Sequence, residues 1–251
     1  MKALITGASS GIGYSMAKYL DKLDIELILV GRDKGKLENL QKELKVKSKV
    51  VIADLADLNK VKDLYILTRS EDIDILINNA GFGLYGEFSQ VDLNKELEMI
   101  NINIKAVHLL TKLFLRDMKK KNSGYIMNVA SSAAFGPGPL MATYYATKAY
   151  VNNLTESISE ELRRSNVNVS ICSLCPGPVD TNFNNVAGVE FSIKPLTSDY
   201  VAKYGIDKML QGKTVIVPGM MMKLVLFFRR FASRSFVRKV TYNIQHKKSG
   251  H

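Results

Sequence analysis

At 251 residues the chain has the length of one large domain with a sizeable core, and its apolar-to-charged balance of 46% to 24% is that of an ordinary globular protein. No run approaches the roughly twenty apolar residues needed to cross a bilayer. The formal charge of +11 is lopsided: beyond Met220, Lys223, Arg229, Arg230, Arg234, Arg238, Lys239, Lys247 and Lys248 occur without a single acid, which argues against a general nucleic-acid surface and for something local.

The opening, "MKALITGAS", lacks the charged, apolar and cleavage regions of a secretory signal, so a cytoplasmic location is expected. "KALIT" (2–6) reads as a strand, and "TGASSGIG" (6–13) follows it directly and opens a helix over 12–22. Gly7, Gly11 and Gly13 let the chain turn tightly, approach a ligand and pack helix on strand. The backbone N–H groups of Ser9, Ser10, Gly11 and Ile12 then face a pyrophosphate at the helix N-terminus.

"ELILV" (26–30), "KVVIA" (49–53) and "DILIN" (74–78) are the next strands, alternating with helices over 33–45 and 57–69. After the second strand an acid would hold the ribose hydroxyls of NAD, but Gly31 offers no carboxylate and Arg32 follows. A cation there accommodates the 2′-phosphate of NADP. Asp33 competes for the acid's role but reads better as the N-cap of the helix starting at Lys34. The cofactor expected is therefore NADP(H).

A helix over 92–120, the strand "GYIMNV" (124–129), a helix over 144–165, and the strands "NVSICSL" (168–174) and "TVIVP" (214–218) complete the alternation. None of the seven strands alternates apolar with polar, as expected of strands buried on both faces. The pattern predicts a single α/β domain over 1–219, with a Rossmann-type, doubly wound, parallel seven-stranded sheet and helices on both faces. Residues 176–197, rich in Pro, Gly and Asn, read as a long functional loop at the carboxyl edge. "CSLC" (172–175) has a redox or metal spacing, but the three histidines are scattered, so no metal is expected and both thiols read as buried core.

"TYYATK" (143–148) puts Lys148 one helical turn beyond Tyr144, on the same face. A free phenol has a pKa near 10; an ammonium beside it should lower that value and let the phenol exchange protons with a carbonyl oxygen as hydride moves. The same spacing recurs at Tyr14/Lys18 and Tyr204/Lys208, so it does not decide by itself.

"TGASSGIG", "NNAG" (78–81), Ser131 thirteen residues ahead of Tyr144, and "PGPVDT" (176–181) together resemble the short-chain dehydrogenase/reductase family over about residues 1–217. That resemblance selects Tyr144 among the three tyrosines. It implies Tyr144 as acid/base, Lys148 as its tuner and a ligand of the nicotinamide ribose, Ser131 as the hydroxyl orienting the carbonyl, and Asn103 as part of a proton relay. The family usually has glycine where Ala106 stands, and Asn101 is the rival for the relay. The resemblance further implies Asp54 and Leu55 at the adenine, Asn79 and Ala80 along the groove, and Val179 with Thr181 at the carboxamide. Family members pair through long helices, here about 104–120 and 145–165, so a homodimer or homotetramer is expected.

Residues 220–251 form a basic extension in which Leu224, Phe228, Phe231 and Phe236 recur at near-helical spacing. It reads as a helix packed on the domain or on a partner subunit, or as an amphipathic element touching anionic membrane or shaping an apolar pocket. Phe183 and Phe191 are expected to make that pocket partly apolar. The expected substrate is a small carbonyl or alcohol compound, an apolar ketone, aldehyde, 3-ketoacyl or hydroxysteroid type. A dinucleotide sensor without catalysis and a membrane-surface reductase of lipid carbonyls are the alternatives.

Overall fold

The computed structural model describes residues 1–181 and 195–246; the expectations for Phe183, Phe191, Lys247 and Lys248 fall outside the described residues. Strands β1 (Lys2–Thr6), β2 (Glu26–Gly31), β3 (Ser48–Ile52), β4 (Ile75–Asn78), β5 (Gly124–Val129) and β6 (Val169–Leu174) build the sheet. Beyond them a short pair, β7 (Val179–Asp180) and β8 (Leu196–Thr197), precedes β9 (Val215–Ile216), which joins the edge of the main sheet. All seven strands of that sheet are parallel, in the order β3-β2-β1-β4-β5-β6-β9. The order reverses between β1 and β4, and ligands of such sheets bind at the carboxyl ends flanking that reversal.

The missing polar alternation has the expected cause, because both faces are covered. Ala3, Ile5, Leu27, Leu29, Ile75 and Ile77 point to one core, which helices α1 (Gly11–Asp21) and α7 (Ser198–Leu210) cover. Leu4, Ile28, Leu76 and Ile126 point to the other, beneath α3 (Leu58–Thr68), α5 (Val107–Lys121) and α6 (Ala142–Arg164). Each such Leu or Ile, fully buried, contributes about 1.5–3 kcal/mol. Helix α2 (Lys34–Glu43) starts at Asp33, whose Oδ1 accepts from Lys36 N at 3.0 Å. Asp33 is thus the N-cap that the sequence suggests.

The helix expected over 92–120 departs from its pattern. Helix α4 (Leu93–Ile100) and α5 are separated by a widened π-turn over Asn101–Ala106, a local irregularity often found at functional sites. The single helix expected in the extension is two: α8 (Met220–Arg229) and α9 (Arg234–His246). Ser233 Oγ, accepting from Phe236 N at 3.2 Å, starts the second.

The glycine loop is held by contact. Gly7 has φ +66°, a left-handed value that favours glycine. A Cβ on Gly13 would lie 2.3 Å from Gly7 O, so helix and loop touch there with no space for a methyl. Gly13→Ala should lower stability by about 1–3 kcal/mol, as overpacking does, read as a drop in the midpoint of thermal unfolding; an unchanged midpoint would contradict this close contact.

Candidate active site

A cleft of about 1030 Å³ runs along the carboxyl edge of the sheet. Gly7, Ser9, Ser10, Gly11 and Ile12 form one end, with Arg32, Asp54, Leu55, Asn79 and Ala80 beside them. Ser131, Tyr144, Lys148, Val179 and Thr181 line it further along. Nearly every site residue expected from sequence therefore converges on one space; Gly13 and Asn103 are the two that stand behind its wall.

The dinucleotide end fits a diphosphate. Ser10, the N-cap of α1, makes no side-chain cap bond, and the first turn of α1 carries no acid, so the N–H groups there remain available to an anion. Asn79 Nδ2 donates to Thr6 O at 3.0 Å and Gly7 O at 3.1 Å, clamping the loop rather than only lining the groove. A Cβ on Gly11 would come within 3.2 Å of Thr181 Cγ2, bringing the glycine loop against the segment after β7. Gly31 leaves space beside Ser9 Oγ, while Arg32 Nη1 lies 3.0 Å from Glu98 Oε1 and is largely exposed. Asp54 Oδ1 accepts from Ala56 N at 3.0 Å.

At the reactive end, β5 ends just before Ser131, and α6 presents Tyr144 and Lys148 from successive turns. Tyr144 is hydrogen-bonded to Ser131, a contact that favours the ionised phenol. Ser131 Oγ also accepts from Ala133 N at 3.1 Å, which fixes the serine. Lys148 Nζ donates to Val129 O at 2.8 Å and lies 5.9 Å from the centroid of the Tyr144 ring. A Cβ on Gly81 would sit 2.9 Å from Asn103 Oδ1 and 3.3 Å from Lys148 Nζ, so the last residue of "NNAG" is the bare spot where lysine and asparagine meet. Asn103 is fully buried, accepting from Phe82 N at 3.2 Å and donating to Phe82 O at 2.9 Å and Thr147 Oγ1 at 3.1 Å.

One electrostatic expectation is corrected. Burial pushes the Tyr144 phenol up to about 12, outweighing the hydrogen bond from Ser131. Burial likewise pulls Lys148 down to about 8. Desolvation disfavours both charges, and it wins over the attraction that the spacing suggested.

The competing tyrosine–lysine pairs have other partners. Tyr14 and Lys18 both reach Glu43, and the Tyr204 hydroxyl accepts from Lys223 Nζ at 2.9 Å. Neither pair lines the cleft. Cys172 and Cys175 are free and buried, with both thiols pushed up by desolvation; among the described residues no group of potential ligands could hold a metal.

Residues 1–189 match the family described as short chain dehydrogenase. The chain belongs to the short-chain dehydrogenase family. An uncharacterized oxidoreductase of Staphylococcus epidermidis is 36% identical over 181 residues, spanning 71% of this chain and 78% of the relative. A short-chain dehydrogenase from Sphingobium yanoikuyae, solved in complex with NADPH, superposes with a TM-score of 0.81 at 29% identity, covering 87% of this chain and 88% of that one. A family member from Burkholderia phymatum, solved with NAD, shares the fold at 24% identity, with a TM-score of 0.82 and coverage of 91% and 92%. The protein is an oxidoreductase of this family, whose members use a nicotinamide dinucleotide.

Sequence reasoning missed Gly81, Val129 and Thr147 as supports of the catalytic-looking group. It also did not single out Tyr145, Arg229 and Gln245 in the cleft wall; "NNAG" was the signal for Gly81, and the reading of the extension as a pocket wall was the signal for Arg229 and Gln245. A folded-state Lys148 pKa below its unfolded value means that the unfolded chain binds more protons between about pH 8 and 10.5. Lys148 should therefore contribute a rise in stability with pH across that window, on the order of 3 kcal/mol, set against the opposite contributions of the raised Tyr144, Cys172 and Cys175. Chemical denaturation of Lys148→Met at several pH values should show that rise reduced; an unchanged slope would contradict a desolvated lysine.

Proposed function

We propose that the protein is a cytoplasmic NADP(H)-dependent oxidoreductase acting on CH–OH groups, interconverting an apolar carbonyl compound and its alcohol. The observation that carries this reading is the buried Tyr144, bonded to Ser131 and one turn from Lys148, at the end of the cleft opposite the glycine loop. The catalytic domain is residues 1–219, and 220–251 are an extension that shapes the substrate end.

The dinucleotide supplies or accepts hydride. Tyr144, neutral at physiological pH, gives its proton to the carbonyl oxygen as the carbon is reduced. Ser131 donates a hydrogen bond to the same oxygen and so fixes its position. Lys148, with a pKa near 8, exchanges protons close to neutrality and restores the phenol; Asn103 stands beside it in the relay. For oxidation the same groups run in reverse. Three interacting polar groups converging on one cleft are more than a sensor of dinucleotide needs.

At the other end, Gly7, Ser9, Ser10, Gly11 and Ile12 cradle the diphosphate, with Gly13 packing the loop. Asp54 and Leu55 meet the adenine, Asn79 and Ala80 border the groove, and Val179 with Thr181 reaches the carboxamide. Arg32 favours the 2′-phosphate, because Gly31 supplies no carboxylate and the Asp33 side chain is engaged by Lys36 N.

With a panel of ketones, aldehydes, acyl thioesters and sterols, turnover should be faster with NADPH than NADH. Tyr144→Phe should lower kcat by at least about a hundredfold, as loss of a general acid does. Arg32→Ala should raise KM for NADPH by about tenfold or more while changing that for NADH little. Preference for NADH, or full turnover by Tyr144→Phe, would overturn the reading.

A membrane-surface version of the same enzyme is favoured by one feature. Phe227, Phe228, Phe231 and Phe236 are each more than half exposed, next to Arg230 and Arg234. Among the described residues no helix is long and apolar enough to cross a membrane, so contact would be peripheral. Self-association through α5 and α6, where His108 Nδ1 meets Tyr150 Oη at 2.7 Å, completes the proposal. Sedimentation should give a dimer or tetramer alone and co-pelleting with phosphatidylserine vesicles that a Phe227/Phe228/Phe231→Ser variant loses. A monomer, or equal pelleting by both proteins, would contradict these partners.

A further inference from the structure

The extension lines the substrate end of the cleft. Met222, Val225, Phe228, Phe236, Val240 and Ile244 make this wall apolar. Polar groups interrupt it: Arg229 from α8, Thr241 and Gln245 from α9, and Tyr145, the neighbour of the proposed acid.

The segment that follows Ser131 is cut to fit them. Gly136 is extended, with φ 174° and ψ −173°, a conformation any residue adopts. Yet a Cβ there would fall 1.2 Å from Arg229 Nη2. A Cβ on Gly138 would likewise fall 2.2 Å from the Tyr145 ring. Two glycines thus make room for a guanidinium and a phenol that face the cleft.

Gln245 is buried, and its Nε2 donates to Tyr145 Oη at 2.8 Å, while Gln245 O accepts from Tyr85 Oη at 3.2 Å. With the Tyr145 oxygen occupied as an acceptor, its O–H proton remains to be donated. The other amide atom, Oε1, is buried with no partner among the described residues, so the donor that Gln245 gives to Tyr145 is what orients the phenol.

Arg229 is half-buried, and desolvation lowers its pKa. Among the described residues it makes no ion pair or side-chain hydrogen bond, and residues 220–246 contain no acid to supply one. It also borders a neighbouring pocket of about 520 Å³, whose lining includes Lys223, Arg230 and Arg234 and no acidic residue. A partly desolvated cation without a counter-charge is costly unless an anion arrives. Guanidinium and phenol together offer converging donors, the geometry that recognises an oxyanion.

We propose that Arg229, with Tyr145 oriented by Gln245, forms a subsite for an oxyanion, a carboxylate or a phosphate monoester, carried by the apolar substrate at a distance from its carbonyl. This rests on reading the cleft as the site of carbonyl reduction. It selects amphipathic acids over neutral ketones of the same size.

Calorimetric titration of the full-length protein with decanoate, decyl phosphate and decanol measures the subsite without requiring turnover. The wild type should bind at least one of the anions about 10- to 100-fold tighter than the alcohol. Arg229→Met should remove that difference and Arg229→Lys should keep part of it. Gly136→Ala should weaken it by displacing the guanidinium, whereas Arg238→Met, on exposed α9 and outside both pockets, should leave it unchanged. The ratio of decanoate to decyl phosphate identifies which oxyanion fits. Equal affinity for all three ligands in the wild type, or full discrimination in a folded Arg229→Met, would overturn the subsite. Tyr144→Phe separates the two readings: it should lose turnover and retain anion preference. Retained preference with no turnover of any carbonyl by the wild type would sink the enzymatic reading and leave the subsite standing.

Discussion

At Tyr144 and Lys148 desolvation outweighs any pairwise attraction. The sheet is buried on both faces, and at its carboxyl edge Tyr144 and Lys148 are themselves buried. Tyr144 and Lys148 pass into the same dry environment and respond in opposite directions. The phenol holds its proton more tightly, and the ammonium holds its proton less tightly. A neutral acid beside an amine that titrates near neutrality is a matched pair for moving a proton. The Val129 carbonyl, which accepts from Lys148, and Gly81, which gives it room beside Asn103, preserve that arrangement.

The fold was largely legible in the sequence because its signals are local and redundant. Uninterrupted apolar strands, aspartate caps and a glycine loop between strand and helix each point to a doubly wound sheet, and strand bounds agree to within a residue or two for most of the sheet. The π-turn at Asn101–Ala106 was not legible, since "NINIKA" carries no breaker and its apolar pattern continues through. The break between α8 and α9 is equally quiet, resting on a single serine cap in a stretch of arginine and phenylalanine.

The candidate site divides along the same line. Residues announced by motifs, from Gly7 to Thr181, converge on one cleft. Residues that matter through distant packing were invisible. Asn78 bonds Asn128 and Thr111, and Asn128 bonds Thr155, a buried polar chain that ties β4 and β5 to α5 and α6. No short pattern encodes those partners. In sequence Arg229 is one more cation of a basic tail; its half-burial, its place in the cleft and the space above Gly136 distinguish it from Arg230. The sign of the Tyr144 shift was misjudged for a related reason: spacing reports neighbours, whereas burial reports everything that has been excluded.

The most direct test is the ionisation of Tyr144 itself. With tyrosine labelled at Cζ with carbon-13, the resonance missing from Tyr144→Phe can be followed in the free protein as pH rises. It is expected to remain that of a neutral phenol through pH 10 and to change only near 12. A phenolate signal appearing below pH 9 would show that attraction to the lysine outweighs burial, and would contradict the physical basis of the site.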